Sequence, residues 1–338
     1  MLIGCRCALV LTISLLGQSA VQAQTAAPAG QTEEAWHHRG SGITVPATID
    51  GMRRGEQRDL SRGGEFDVTT QYGTSDEPVT VYIYRSAYPN VALWFERTRR
   101  AMNENLRSQE IDAAPRSFAL AGGAPNGLRE EFELPAGGRF RSTAVAMAQT
   151  GEWIVKVRIT SRSLDRAAIA ARMDALLAAM RLPDGRPEPH PLLLPPPCPD
   201  SLSLDFRPVR GDHEAELAAA AVAGATEFAE ARGSGGLAAE PSQWCRATGP
   251  LDAFGSTYRH RDGSAWVVLL GDSGIAVTGR STGSADASGA ATFASTPSWT
   301  RIAEVYESLP SPEQAVEPAV PVLLGQSPGL AEISATPD

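Results

Sequence analysis

Between Pro183 and Asp200 proline recurs so often that neither a helix nor an interior strand can run through the segment. Proline lacks the amide N–H that both ladders require, and its ring fixes φ. Such a stretch is stiff and extended and cannot pair in a sheet. The chain must therefore build its structure on either side of it. The expected organisation is a first α+β domain over 43–183, a Pro-rich linker over 184–200 and a second α+β domain over 201–310.

In the first half, 65–72 and 79–85 read as strands, the second alternating Val79, Val81 and Ile83 with Thr80, Tyr82 and Tyr84. Pro89 stops the strand and Asn90 is a good helix N-cap. The helix it opens runs to about Ser108, with Val91, Trp94, Phe95, Thr98, Met102 and Leu106 on one face. Strands follow at 116–120, 128–134, 139–148 and 152–160, three of their junctions carrying glycine-rich turn chemistry. Trp153, Val155, Val157 and Ile159 share one face of the last strand, and Lys156, Arg158 and Thr160 the other. One buried and one wetter face implies an antiparallel sheet. Ser163 then caps a helix with Ile169, Met173, Leu176, Leu177 and Met180 as its apolar stripe.

The second half begins with a helix from Asp212, its acidic first turn carrying Glu214 and Glu216 and its end marked by Arg232 and Gly233. Short strands are expected at 242–247, 255–260, 265–270 and 275–280. A Gly/Ser/Ala loop over 281–295 leads to a final helix carrying Ile302, Val305, Tyr306 and Leu309, and a disordered tail over 311–338. The fold class is α+β: two antiparallel-sheet domains, each flanked by helices. Both halves read helix, four strands, helix, and both end in Leu-Pro, so internal duplication is the preferred account.

The strand Val79-Thr80-Val81-Tyr82-Ile83-Tyr84 before the Trp94/Phe95 helix, and Trp153-Ile154-Val155-Lys156-Val157-Arg158 before the next, give 43–183 a resemblance to PsbP-like α/β/α proteins. That resemblance implies an antiparallel sheet covered by helices. It also implies a non-catalytic accessory or binding role, with no catalytic residues to carry over.

The first 23 residues have the layout of a bacterial Sec signal: Arg6, an apolar run from Ala8 to Leu16, then Val21-Gln22-Ala23. Export and cleavage near Ala23 imply a periplasmic or secreted protein. A flexible leader over 24–42 follows. Cys5 and Cys7 precede the apolar run, so no lipid anchor is expected. The two remaining cysteines, Cys198 and Cys245, are then most simply a disulfide, since they lack C-x-x-C spacing and no histidine adjoins them.

Charge is unevenly spread. Residues 24–190 carry 21 basic and 21 acidic side chains, whereas 191–338 carry 8 and 18. An acidic second half argues against nucleic acid and anionic membranes as partners. Lys156 is the only lysine, which fits arginine-biased codon usage.

No phosphate loop, cofactor fingerprint or metal motif is present, so no cofactor and no metal are expected. Gly271-Asp272-Ser273-Gly274 resembles the nucleophile segment of chymotrypsin-like proteases but continues with Ile275. A hairpin turn explains it better. An unrelated triad of Ser273, His260 and Asp262 stays open as a hydrolase alternative. His37-His38 reads as part of a solvated leader, and His213 as an ordinary helix start. Arg97, Arg99, Arg100 and Arg107 form a cationic helix surface. It is either solvated, with Glu96 pairing to Arg100, or a contact for an anion or acidic protein, the acidic second half of the same chain included. Tyr82, Tyr84 and Trp94 are core or an aromatic binding surface. The leading expectation is a non-catalytic exported protein that binds an unknown envelope protein or small ligand. A structural envelope component is the remaining alternative.

Overall fold

The computed structural model describes residues 34–61, 63–106, 114–120, 125–182, 193–199, 218–219, 221–226, 243–272, 274–282 and 289–334. Two small ribbons open the fold, β1 (Trp36–His37) with β2 (Thr44–Val45), and β3 (Thr48–Ile49) with β4 (Met52–Arg53). The first large sheet holds β5 (Arg58–Asp59), β6 (Asp67–Gly73), β7 (Pro78–Arg85), β8 (Arg116–Phe118), β9 (Gly127–Glu133), β10 (Ser142–Thr150) and β11 (Trp153–Ser161). Its order is β5-β6-β7-β11-β10-β9-β8, antiparallel throughout. Helix α1 (Val91–Leu106) connects β7 to β8, and α2 (Arg166–Ala179) follows β11.

The second large sheet is a plain antiparallel meander. It runs through β12 (Trp244–Ala247), β13 (Gly255–His260), β14 (Ala265–Leu270), β15 (Ile275–Ser281), β16 (Ala290–Ser295), β17 (Trp299–Tyr306) and β18 (Ala331–Ser334). Helix α3 (Pro312–Leu323) sits between its last two strands.

Alternation along β7, β10 and β11 decides the layering. Val79, Val81, Ile83, Ala144, Ala146, Val155 and Val157 face α2, whose Ile169, Met173, Leu176 and Leu177 complete one apolar core. The opposite face turns Tyr84, Val145, Met147 and Ile154 toward α1. A second core there joins Trp94 and Phe95 of α1 to Trp244, Tyr258, Val267, Leu269 and Ala276 of the second sheet. Helix α1 is thus sandwiched between the sheets, and α3 covers the far face of the second sheet. The proline-rich segment separates the sheets in sequence but not their cores.

Several expectations are corrected. The final helix around Ile302 is instead β17. Both faces of that strand are buried, Ile302 and Val305 against a helical segment at 221–226 and Ala303 and Tyr306 toward α3, and this hides the period of two. Part of the expected loop over 281–295 is β16. The expected tail carries α3, with Pro312 in its first turn and a Ser311/Gln314 capping box, and then β18. The duplication fails on topology, because α1 breaks the first sheet's meander and sends β11 back beside β7.

Two segments expected to be flexible or unpaired are built in. His38 is fully buried, so the leader is ordered there. Its Nε2 donates to the Glu65 carbonyl at 2.7 Å, while Nδ1 accepts from the Ser41 amide at 3.1 Å. Burial lowers its pKa, which fits a neutral ring. At the end of the linker, Pro197 bridges to Arg246 of β12. The Arg246 amide donates to the Pro196 carbonyl at 2.7 Å, and the Cys198 amide to the Arg246 carbonyl at 2.8 Å. The disulfide Cys198–Cys245 closes beside this pairing. Residues 1–23, Arg107, His213 and Ser273 lie outside the described residues.

Candidate functional site

The turn 271–274, between β14 and β15, is the hairpin turn its residues imply, with Leu270 paired to Ile275. It does not project into solvent. The Ala87 amide donates to the Gly274 carbonyl at 3.0 Å and Arg97 Nε to the Gly271 carbonyl at 3.0 Å. The Thr98 hydroxyl donates to Asp272 Oδ1 at 2.6 Å. Lys156 Nζ ion-pairs with Asp272 Oδ2 at 2.8 Å and lies 3.1 Å from the Asp272 carbonyl. Gly274 takes φ +80°, and a Cβ there would stand 2.9 Å from Tyr84 Cδ2 and 3.2 Å from the Arg85 carbonyl. A side chain at 274 would therefore have to displace β7.

Alternation places the receiving groups together. Lys156 pairs across to Tyr82, and Tyr82 to Thr69, while Tyr84 pairs across to Asp67. All stand on the face of the first sheet that α1 only partly covers. The Lys156 ammonium sits 4.4 Å from the Tyr82 ring centroid and 5.8 Å from that of Tyr84. Its side chain is 4% exposed, against 38% for Asp272. Burial pushes Asp67 up to about 6 despite the nearby Lys156 charge. Burial, with the Asp67 and Asp272 charges beside it, drives the Tyr84 phenol well up. The Tyr84 hydroxyl, Arg97 Nη1 and Thr69 hydroxyl are buried and have no hydrogen-bond partner among the described residues. The cluster is thus a buried amine and a buried phenol with two carboxyls that stay partly open to solvent.

The remaining candidates fall elsewhere. His260 Nδ1 bonds to Asp262 Oδ1, and Nε2 lies 2.9 Å from Gln243 Oε1. Burial raises Asp262, but Ser264 and His260 outweigh it and hold the carboxyl at about 2. His260, the last residue of β13, stands beside the start of β14 and Asp272 just past its end, on either side of a six-residue strand spanning about 20 Å. Ser273, the third member of the candidate triad, lies outside the described residues.

The arginine group divides. Arg97 and Arg100 reach the second sheet, Arg100 through Asp252 at 3.4 Å, whereas Arg99 turns back to Glu130 of β9 at 2.7 Å. Glu96 does not pair with Arg100 as the spacing suggested. It lies 3.5 Å from Arg246 and accepts the Tyr258 hydroxyl, while Arg100 pairs with Glu104. Burial raises the Glu96 carboxyl, with Tyr258 and Arg246 opposing. Trp94 is fully buried and donates Nε1–H to the Tyr88 carbonyl at 2.8 Å, a core residue. No group of His, Cys, Asp and Glu suited to a metal ion occurs among the described residues. Nor is any helix there long and apolar enough to cross a membrane. Sequence reasoning missed Asp272, Thr98 and Asp67. The one available signal was a lysine in an otherwise all-arginine chain.

No protein family and no curated protein matches this chain. A solved structure from Bacteroides thetaiotaomicron VPI-5482 is similar at 12% identity with a TM-score of 0.27. The match covers 58% of this chain and 61% of that one, so this chain spans less than two thirds of its length.

Proposed function

We propose that this is an exported, non-catalytic binding or accessory protein of the cell envelope, engaging an envelope protein or small ligand. The observation that carries the reading is the half-buried face of the first sheet beside α1. Thr80, Tyr82 and Arg158 stand there partly open to solvent, and Arg158 has no ion-pair partner among the described residues. Among the described residues, His260 is engaged by Asp262 and Gln243, and Arg97, Arg99 and Arg100 by carbonyls and carboxylates. An aromatic ring beside an uncommitted guanidinium suits recognition of a planar or anionic group. The signal-like N-terminus and the disulfide support an oxidising compartment. The resemblance of 43–183 to PsbP-like proteins supports an accessory role.

The test is affinity purification of the tagged mature protein from periplasm, wild type beside Arg158→Glu. A stoichiometric partner or ligand that Arg158→Glu loses is expected. Recovery of nothing stoichiometric, or equal recovery by both, overturns the reading. N-terminal sequencing of the same material should begin at Gln24.

A further inference from the structure

Of 30 cationic side chains in this protein only Lys156 is a lysine, and its head is buried between the sheets. Where other buried carboxylates need a cation, the fold uses arginine, as in Arg99–Glu130 and Arg129–Glu131. A guanidinium forks to both carboxylate oxygens and keeps its proton. The chemical difference of an ε-amine is that it can release a proton and act as a nucleophile. Lys156 Nζ stands 2.8 Å from Asp272 Oδ2, and the Tyr82 ring at 4.4 Å limits its movement. The other oxygen, Oδ1, accepts the Thr98 hydroxyl at 2.6 Å. One oxygen is thus held as a carbonyl and the other faces the amine. A third carboxyl, Asp67, lies within electrostatic reach of the same ammonium from β6, and burial favours its protonated form.

From this juxtaposition we propose that Lys156 and Asp272 condense to an isopeptide bond joining β11 covalently to the β14–β15 turn. A proton passes from the ammonium to Oδ2 across the 2.8 Å contact, leaving a neutral amine and a neutral acid. The Nζ lone pair attacks Cγ while Thr98 stabilises the charge developing on Oδ1. Nitrogen gives up a proton to water at the open side of Asp272, and Oδ2 takes one from it. The Cγ–Oδ2 bond breaks and water leaves through the open side of Asp272. One ammonium and one carboxylate yield one amide and one water, with no oxidant, reductant or co-substrate.

Intact mass of the purified protein, reduced and alkylated, tests this directly. The expected mass lies about 18 Da, one water, below that of the linear chain. Tryptic mapping should recover the Lys156 and Asp272 peptides as one branched species. Lys156→Arg should return to full mass. Full mass in folded wild-type protein overturns the proposal. So does a deficit that persists in Lys156→Arg, which would mark dehydration at an Asp-Gly step instead. The wild-type measurement decides the matter even where a variant fails to fold.

Discussion

The two ends of β14 carry similar residues and do different work. At one end, Asp262 caps the turn by accepting from the Ser264 amide at 2.8 Å and holds its neighbour His260. At the other, Asp272 ignores its own turn and reaches a helix and a strand of the opposite sheet. Local sequence explains the first end. Only the sandwiching of α1 explains the second. A carboxylate in a turn is by default a local cap, and it becomes a tertiary anchor when the fold brings an uncompensated cation and a hydroxyl donor to it.

Substitutions should separate the ends by size of effect. Gly274→Val sets a β-branched residue at positive φ against Tyr84 and should cost about 3 kcal/mol, read as a lower urea midpoint. An unchanged midpoint would mean that the turn is not docked. His260→Ala, at the other end of β14, should cost no more than about 0.5 kcal/mol. A larger loss would show that the His260 end also bears on the core.

Between these lies a pH effect. The folded pKa of Asp67, about 6, lies above the ordinary 3.8, so its contribution to stability is full below 3.8 and is lost as pH rises through 6. Replacing it by Asn should therefore raise stability at pH 7 by about 1 kcal/mol, allowing for partial exposure, and flatten the profile between pH 4 and 6. His38 runs the other way. Its pKa is lowered by burial, so its contribution holds above the ordinary 6.5 and is lost as pH falls below it. Urea melts across pH 4 to 8 for wild type and Asp67→Asn would distinguish the two, because only the Asp67 component should vanish.

Legibility in the sequence followed the same divide between local and distant causes. The strands of the first sheet were readable from their alternation, and α1 from its Asn90 cap, whereas α2 is capped by Asp165 and not by Ser163 as its sequence suggested. β17 was not readable, because burial on both faces erases alternation. α3 was not, because Pro318 and Pro321 within it mimic a tail. At the candidate site, the hairpin turn was visible from its own residues. Its anchors were not, since Thr98 and Lys156 lie 174 and 116 residues from Asp272 in sequence. Tyr82 and Tyr84 could be placed on one face, but not beside a turn of the other sheet.

The strap at Pro196–Cys198 bears on how copies of this protein meet. A terminal strand normally offers a row of vacant amides and carbonyls on which a neighbouring molecule can polymerise. At β12 the outward amide and carbonyl of Arg246 are both taken by the strap, and the Cys198–Cys245 bond fastens it there. Because proline has no N–H, Pro197 offers no donor with which an added strand could continue the ladder. Oxidation of one cysteine pair therefore protects against fibre-like stacking at high local concentration, a colloidal property separate from any ligand the protein binds.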